Sequence, residues 1–306
     1  MDATFSGSPR VAVLGPLGSF THIAARRIFG DRATFEPTAA YRIPRRVRLR
    51  GKSDGCDFGV IAAENIVHGF IGDTFDALYS TSDVQIVGEV YLPIRLHLIT
   101  HAKDASEIAT VTSHDAGLSQ CRRFLDKFDT LAGHSCARMP AASTSAAVEQ
   151  AAANKSLAAL GSAEAAERFG VPILMPSVQD HPEASTRFWV LSLGNGRPPT
   201  ERNKTVFLVE INDNLDSLLT LVKLFADAGL QITWLYPRVV PGKSRAGAWR
   251  YCYFIEVQGH ISDSGVSRVN RALRRCEWSV LRGRSGRTLG SFPSHECTQL
   301  PWPDFL

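Results

Sequence analysis

Apolar positions along the chain follow two periods. Short runs that are apolar throughout or at every second residue read as strands, and stretches with apolar residues three and four apart read as helices. The first pattern covers RVAVLG (10–15), DFGVIAA (57–63), VQIVGEV (84–90), LHLIT (96–100), ATVT (109–112), SLAALG (156–161) and TRFWVLSL (186–193). Helical stretches fall between them. In 67–79, Ile71, Phe75 and Leu78 recur at helical spacing. The Ala-rich stretches 143–153 and 162–169 follow Ser143 and Ser162, residues of a type that caps helix starts. Strands alternating with helices predict an α/β domain on a largely parallel sheet.

GNGRPPTERN (194–203) breaks this pattern with Gly, Pro and charge, as a linker does. A second unit follows. TVFLVEI (205–211) reads as a strand, and 214–228 as a helix with Leu218, Leu221, Val222 and Phe225 on one face, ending at Gly229. LQITWLYPRVV (230–240) and WRYCYFIEVQG (249–259) read as strands. A helix over about 263–275 aligns Val266, Val269 and Leu273, and EWSVLRG (277–283) reads as the closing strand. The order βαββαβ is ferredoxin-like. The tail 288–306, with three prolines, is expected on the surface. The two domains are expected over 1–196 and 203–293.

Composition adds limits. In 306 residues, 44% are hydrophobic and 21% charged, a globular mix. No apolar run reaches bilayer length, and the polar start MDATFSGSPR lacks the form of a secretory signal, so a cytoplasmic location and no membrane partner are expected. The six cysteines form no C-x-x-C pair and have no His cluster at ligand spacing, which predicts reduced structural thiols and no metal. A net charge of +4 gives no reason to invoke nucleic acid. One stretch is locally basic: Arg42, Arg45, Arg46, Arg48, Arg50 and Lys52. It reads as a solvated face, or as an arm that steers an anion inward.

Four stretches could carry chemistry. GPLGSFTH (15–22) is a glycine-flanked, hydroxyl-rich loop containing Ser19 and Thr21. It matches no phosphate-loop or dinucleotide fingerprint. AAENIVHGF (62–70) puts Asn65 at the C-terminal end of a strand, where ligands of open α/β sheets gather. In SHDAGLSQC (113–121), Ser113 sits at a strand-to-helix junction as a natural N-cap, and Gln120 lies about two helical turns on. A helix start attracts anions. ASTRFWVL (184–191) opens an apolar strand with Thr186, Arg187 and Phe188. Alternation puts Thr186 and Phe188 on one face and Arg187 on the other, so Arg187 either structures the strand end or touches substrate. Taken singly, the first three stretches are better explained as a tight turn, a capping Asn and a plain helix cap, and the fourth stays ambiguous.

Their order is more specific. Gly15-Pro16-Leu17-Gly18-Ser19-Phe20-Thr21-His22, Glu64-Asn65-Ile66, Ser113-His114 with Gln120-Cys121, and Thr186-Arg187-Phe188 resemble the successive motifs of the prephenate dehydratase family. GEVYLPIRLHL (88–98) and AALGSAEAAERFGVPIL (158–174) are similar to it as well. The C-terminal unit resembles its ACT regulatory domain and ends in Leu289-Gly290-Ser291-Phe292-Pro293, close to the family's L-G-S-Y-P. The resemblance covers nearly the whole chain. It implies a two-lobed, periplasmic-binding-protein-like catalytic domain and a carbon-oxygen lyase that needs no cofactor. That enzyme converts prephenate to phenylpyruvate in phenylalanine biosynthesis or a related specialised pathway. By position, Asn65, Ser113 and Gln120 would hold the substrate, with Ser19, Arg187 and Phe188 beside them, and Thr186 would protonate or orient the departing hydroxyl. Assembly into a homodimer or homotetramer through the ACT domain is implied too.

Departures from the family pattern are informative. Leu17 replaces a commonly acidic residue, Ser19 a Thr, and Ile66 a Ser or Thr. In the regulatory unit, P-G-A-L becomes Leu215-Asp216-Ser217-Leu218, and E-S-R-P becomes Tyr236-Pro237-Arg238-Val239. Asp216, Ser217, Leu218 and Arg238 therefore mark an altered regulatory site, and Asp216 adds a charge that repels a carboxylate. Weak or absent inhibition by phenylalanine is expected. Three related readings compete: a prephenate decarboxylase, which typically lacks the Thr retained here as Thr186; an arogenate dehydratase; and a non-catalytic amino-acid-binding regulatory protein.

Overall fold

A computed structural model of the chain describes residues 8–194, 198–211, 215–240, 249–275 and 286–294. Two compact units form. One gathers the residues up to Thr74 together with Val90–Phe188. The other gathers Phe75–Glu89 and the described residues from Trp189 onward.

The first unit has two α/β lobes. In the first lobe, β1 (Arg10–Leu14) leads through the 15–19 loop into α1 (Phe20–Phe29), followed by β2 (Thr34–Thr38), α2 (Ile43–Arg48), β3 (Phe58–Asn65) and β4 (Gly69–Phe70). Strand β1 runs parallel to both β2 and β3, and its Val11, Ala12 and Val13 are fully buried. The helix expected from residue 67 starts later, as α3 (Gly72–Tyr79). Residues 67–71 turn instead, because the Asn65 side chain accepts the Val67 and His68 amides and Gly69 takes φ 74°, and β4 then folds back antiparallel on β3.

Strand β5 (Val84–Pro93) leads to the second lobe: β6 (His97–Ile99), β7 (Thr110–Ser113), α4 (Asp115–Gln120), α5 (Arg122–Ala132), β8 (Ala137–Pro140), α6 (Thr144–Ala153), β9 (Leu157–Gly161), α7 (Ala163–Phe169) and β10 (Ile173–Met175). Its sheet has the order β10-β6-β9-β7-β8, with β7 parallel to β8 and β9 and the β6 pairings antiparallel. The alanines of α6 and α7 have a packing cause. Ala147, Ala151, Ala159 and Ala165 are buried together with Val148, and a Cβ on Gly161 would lie 2.4 Å from Val148 Cγ2. Only small residues let α6 approach β9 this closely. The chain then returns in β11 (Ser185–Leu193), which joins the first lobe's sheet next to β3. The two-lobed architecture is the one the resemblance implied.

The second unit contains β12 (Asn203–Glu210), α8 (Leu215–Asp227), β13 (Ile232–Val239), β14 (Tyr251–Gln258), α9 (Ser264–Arg275) and β15 (Gly286–Pro293). The sheet order β13-β14-β12-β15 is ferredoxin-like. The predicted strand 277–283 lies outside the described residues. The fourth strand is β15, drawn from the segment expected to be a surface tail. Leu289 and Phe292 in it are fully buried. Its Gly, Ser and Pro residues read as loop, but Gly290 has a packing role: a Cβ there would sit 2.1 Å from the Ile86 carbonyl oxygen. The register slips between Val206 and Phe207, which skips Leu289 as a bulge. Phe207, Leu221, Phe225, Val266, Val269 and Leu273 form this unit's core with Leu218 packed against it, while Val222, expected on the same face of α8, is exposed.

Among the described residues, no helix is long and apolar enough to cross a membrane. Cys56, Cys121, Cys136 and Cys252 are buried free thiols, and burial pushes Cys121 and Cys252 up to about 12.

Candidate active site

A cavity of about 540 Å³ opens in the first unit. Its walls come from the C-terminal ends of β1 and β3, the return strand β11, and the starts of α1, α2, α3, α4 and α6. Leu14, Ile43, Ile61, Ile71, Ile94 and Phe188 provide an apolar surface.

The polar groups are few and oriented. Asn65 is 6% exposed. Its Oδ1 accepts two backbone N–H groups, from Val67 at 2.9 Å and His68 at 3.1 Å. That assignment leaves Nδ2 as the donor to Thr186 Oγ1, at 2.8 Å. Thr186 Oγ is thus an acceptor in this pair, and its own proton is free to point into the cavity. Gln120, 6% exposed, also lines the cavity, and its Oε1 has no partner among the described residues. A buried amide oxygen without a partner is costly, and a ligand in the cavity would satisfy it.

Helix starts supply the remaining polarity. Ser19 caps α1, its Oγ accepting the His22 amide, and Ser143 caps α6, its Oγ accepting the Ala146 amide. Ser19, Phe20 and Thr21 of the first helix line the cavity, as do Ser143 and Thr144 of the second. The first-turn amides of both helices have no acceptor inside the helix, and the aligned peptide dipoles favour an anion there. Helix α4 also begins at the wall, with Ala116 and Gly117. Among the described residues, no Lys or Arg lines the cavity. His68, His114 and Asp73 are the ionisable ones among the described lining residues.

The sequence-derived residues are distributed unevenly. Asn65, Gln120, Thr186, Ser19 and Phe188 meet at the cavity. Ser113 does not reach it. It is fully buried, donates to the Leu160 carbonyl at 2.8 Å, and lies where a Cβ on Gly117 would come within 2.3 Å of its Oγ. Nor is Ser113 the cap of α4. That cap is His114, whose Nδ1 accepts the Ala116 amide, because Ser113 still belongs to β7 and its side chain is turned toward β9. Arg187 points to the other face of β11, as alternation requires, with Glu64 at 3.9 Å and the Tyr91 ring at 5.9 Å. It structures the strand end. Sequence reasoning missed His68 and Thr144. Thr144 had a signal, since Ser143 caps its helix just as Ser19 caps α1. His68 had none, because its position depends on the Asn65 turn.

The 15–19 loop is held by both lobes. Ser145 and Ser162 of the second lobe donate to the Leu17 and Gly18 carbonyls, and the Gly18 amide donates to His22 Nδ1 at 3.0 Å. Gly18 takes φ 94°, a conformation glycine adopts without strain. Burial, aided by the positive charges of Arg26 and Arg168, pushes the His22 imidazole from its ordinary 6.5 down to about 4. Between those two values the unfolded chain binds the proton and the folded chain does not. Stability should therefore fall as pH drops from 6.5 to 4, by up to about 3 kcal/mol, and be unaffected by this group above 6.5. Denaturant unfolding at pH 7 and pH 4.5 measures this loss, and it should shrink in His22→Gln.

Comparison with known proteins agrees with the geometry. A family model described as prephenate dehydratase matches residues 11–195. The chain is 31% identical over 284 residues to a bifunctional chorismate mutase/prephenate dehydratase of Aquifex aeolicus, covering 93% of this chain and 73% of that protein. It is 33% identical to a prephenate dehydratase of Amycolatopsis methanolica, covering 92% and 88%. A crystal structure of prephenate dehydratase from Arthrobacter aurescens in complex with L-Phe superposes with a TM-score of 0.80 at 26% identity, covering 93% of this chain and 90% of that one.

Proposed function

This chain belongs to the prephenate dehydratase family, and on that premise we propose how its cavity acts. The enzyme is a lyase that converts prephenate to phenylpyruvate. The bond from the ring to its carboxylate breaks and releases carbon dioxide. The electron pair moves into the ring, the bond to the ring hydroxyl breaks opposite it, and the departing oxygen takes up one proton and leaves as water. The ring becomes aromatic, which drives the step.

Thr186 is the group we assign to the departing hydroxyl. The carrying observation is the Asn65 amide: with both backbone amides on Oδ1, its Nδ2 occupies the Thr186 oxygen and leaves the Thr186 proton for the substrate. A threonine hydroxyl is too weak an acid to ionise outright, so it acts through a preset hydrogen bond that strengthens as charge builds on the leaving oxygen. The proton is finally made up from solvent. The two carboxylates of the substrate are held without a lining guanidinium or ammonium. The starts of α1 and α6 receive them, and the Gln120 amide supplies a further polar contact; the Ser19 hydroxyl donates to the Leu14 carbonyl at 2.6 Å and so holds the start of α1 in place. Phe188 and the aliphatic wall take the ring, so binding fixes the orientation that the elimination requires. Ser113 supports this site from beneath by seating α4 on β9.

Residues 1–196 carry this catalysis, and 203–293 form an ACT-like regulatory domain through which the chain assembles as a homodimer or homotetramer in the cytoplasm. The ferredoxin-like strand order supports the second assignment. Its effector site is altered. Asp216 is exposed in the first turn of α8, Ser217 is buried, Leu218 packs on the core, and Arg238 is engaged by Asp76. A carboxylate arriving at this helix start meets the charge of Asp216, so phenylalanine should bind about fivefold more weakly than to Asp216→Gly, one such charge being worth about 1 kcal/mol. Calorimetry on the two proteins tests this, and tight phenylalanine binding by the native chain refutes it.

The reaction is tested by incubating the protein with prephenate at neutral pH and identifying the product. Phenylpyruvate is expected. A dihydro product that keeps the hydroxyl would mean decarboxylation alone, and turnover of arogenate but not prephenate would move the substrate assignment.

A further inference from the structure

On the other side of the α1 start lies a second cavity, of about 620 Å³, with Phe20 as a shared wall residue. Its character is opposite to that of the active-site cavity. Arg26 and Arg27 enter it from the last turn of α1, Arg95 from the segment joining β5 to β6, and Arg168 from the last turn of α7. His22 and His97 line it as well. Among the described residues, Asp31 and Glu164 are the acids on its wall. Asp31 takes Arg26 at 2.8 Å, and Arg95 donates to the Pro182 carbonyl. Arg27 and Arg168 have no hydrogen bond or ion pair among the described residues. The proposed dehydration uses none of these four side chains.

We infer that this cavity is a second binding site, for a small polyanion bearing phosphate or carboxylate groups, gripped by the guanidinium forks of Arg27 and Arg168. Planar guanidinium groups pair with both oxyanions in bidentate fashion, which sets them apart from lysines acting as point charges. The positive field is already felt inside the protein, since Arg26 and Arg168 add to burial in lowering the His22 imidazole. The position also has a consequence. Helix α1 belongs to the first lobe and α7 to the second, so a ligand spanning Arg27 and Arg168 ties the lobes together behind the catalytic cavity. It does so next to His22, which holds the Gly18 amide of the loop that delivers Ser19 and Phe20. Occupancy of this site steadies the loop from its rear face.

The test is calorimetric titration of the full chain with pyrophosphate, inorganic phosphate and citrate at fixed ionic strength, repeated on the Arg27→Gln/Arg168→Gln double variant. Saturable binding of at least one probe is expected. Loss of two charge-assisted contacts should weaken it roughly tenfold or more. Preference for the phosphates or for citrate identifies the source of the anion. The imidazole of His22, followed by NMR, should titrate at higher pH when the ligand is bound to the native chain, and should not move in the double variant. Prephenate turnover without the anion should be unchanged, because neither arginine lines the catalytic cavity. Arg27→Gln alone carries the same comparison should the double variant not fold. Absence of saturable binding by all three probes, or equal binding by native and variant chains, overturns the inference.

Discussion

Thr186→Val should lower prephenate turnover roughly 10²–10⁴-fold, the range that a positioned proton donor contributes, while leaving KM nearly unchanged. Valine matches threonine in volume and branching, so the start of β11 and the apolar wall next to Phe188 keep their packing. What disappears is the hydroxyl that donates to the leaving oxygen. That hydrogen bond gains strength as charge develops on the departing hydroxyl, so its loss falls on kcat and not on ground-state binding. A secondary cost is structural. Asn65 Nδ2 loses its acceptor at 2.8 Å in a buried setting, which destabilises the fold by about 1–3 kcal/mol. Thr186→Ser separates the two roles, because it restores a hydroxyl to the same partner and should recover most of the turnover. Steady-state kinetics with phenylpyruvate detection, beside a thermal melt of each variant, makes the measurement. Full turnover by the valine variant would remove Thr186 from the mechanism.

Asn65→Asp should be almost as damaging, and in both kinetic constants. The substituted carboxylate keeps the shape of the amide and can still accept the Val67 and His68 amides. The atom facing Thr186 changes from a donor to an acceptor. Thr186 then turns its proton onto the carboxylate and presents only lone pairs to the substrate, so kcat should fall roughly 10²-fold or more. The new charge also faces a dianion in a cavity where no described Lys or Arg lines the wall. At a separation of about 6 Å and an effective dielectric of about 20, like charges repel by about 3 kcal/mol, so KM should rise by roughly 100-fold. A rise in KM with kcat intact would mean that the amide serves binding only, and that Thr186 takes its orientation from elsewhere. Together the two variants distinguish a pre-oriented hydroxyl from a merely polar pocket.

Much of this molecule was legible in one dimension because its signals are local. The strands at 10–15, 57–63 and 186–193 and the capped helices after Ser143 and Ser162 are specified by neighbours a few residues apart, and they appear where the periodicity places them. Local rules failed where a distant partner intervened. The segment 67–71 has helical spacing, yet the Asn65 side chain captures its first amides and turns it into β4. The segment 286–293 has the composition of a loop, yet it is the fourth strand of the second unit, with Gly290 required by the approach of Ile86.

The candidate site divides in the same way. The residue types of the ordered motifs were enough to identify the family and to select Asn65, Gln120 and Thr186, because motif order is a property of the chain. Alternation alone placed Thr186 and Arg187 on opposite faces of β11. Direction and proton ownership were decided by the folded structure. Ser113 and Gln120 are seven residues apart, but Ser113 ends a strand and bonds across its sheet to Leu160, while Gln120 faces the cavity. The identity of the Thr186 proton as the available one depends on amides at 67 and 68 acting on a side chain whose other end reaches 121 residues along the chain. Periodicity reports which way a residue faces within its own element. Where two elements meet, side-chain roles are set by hydrogen bonds that close only when both have folded.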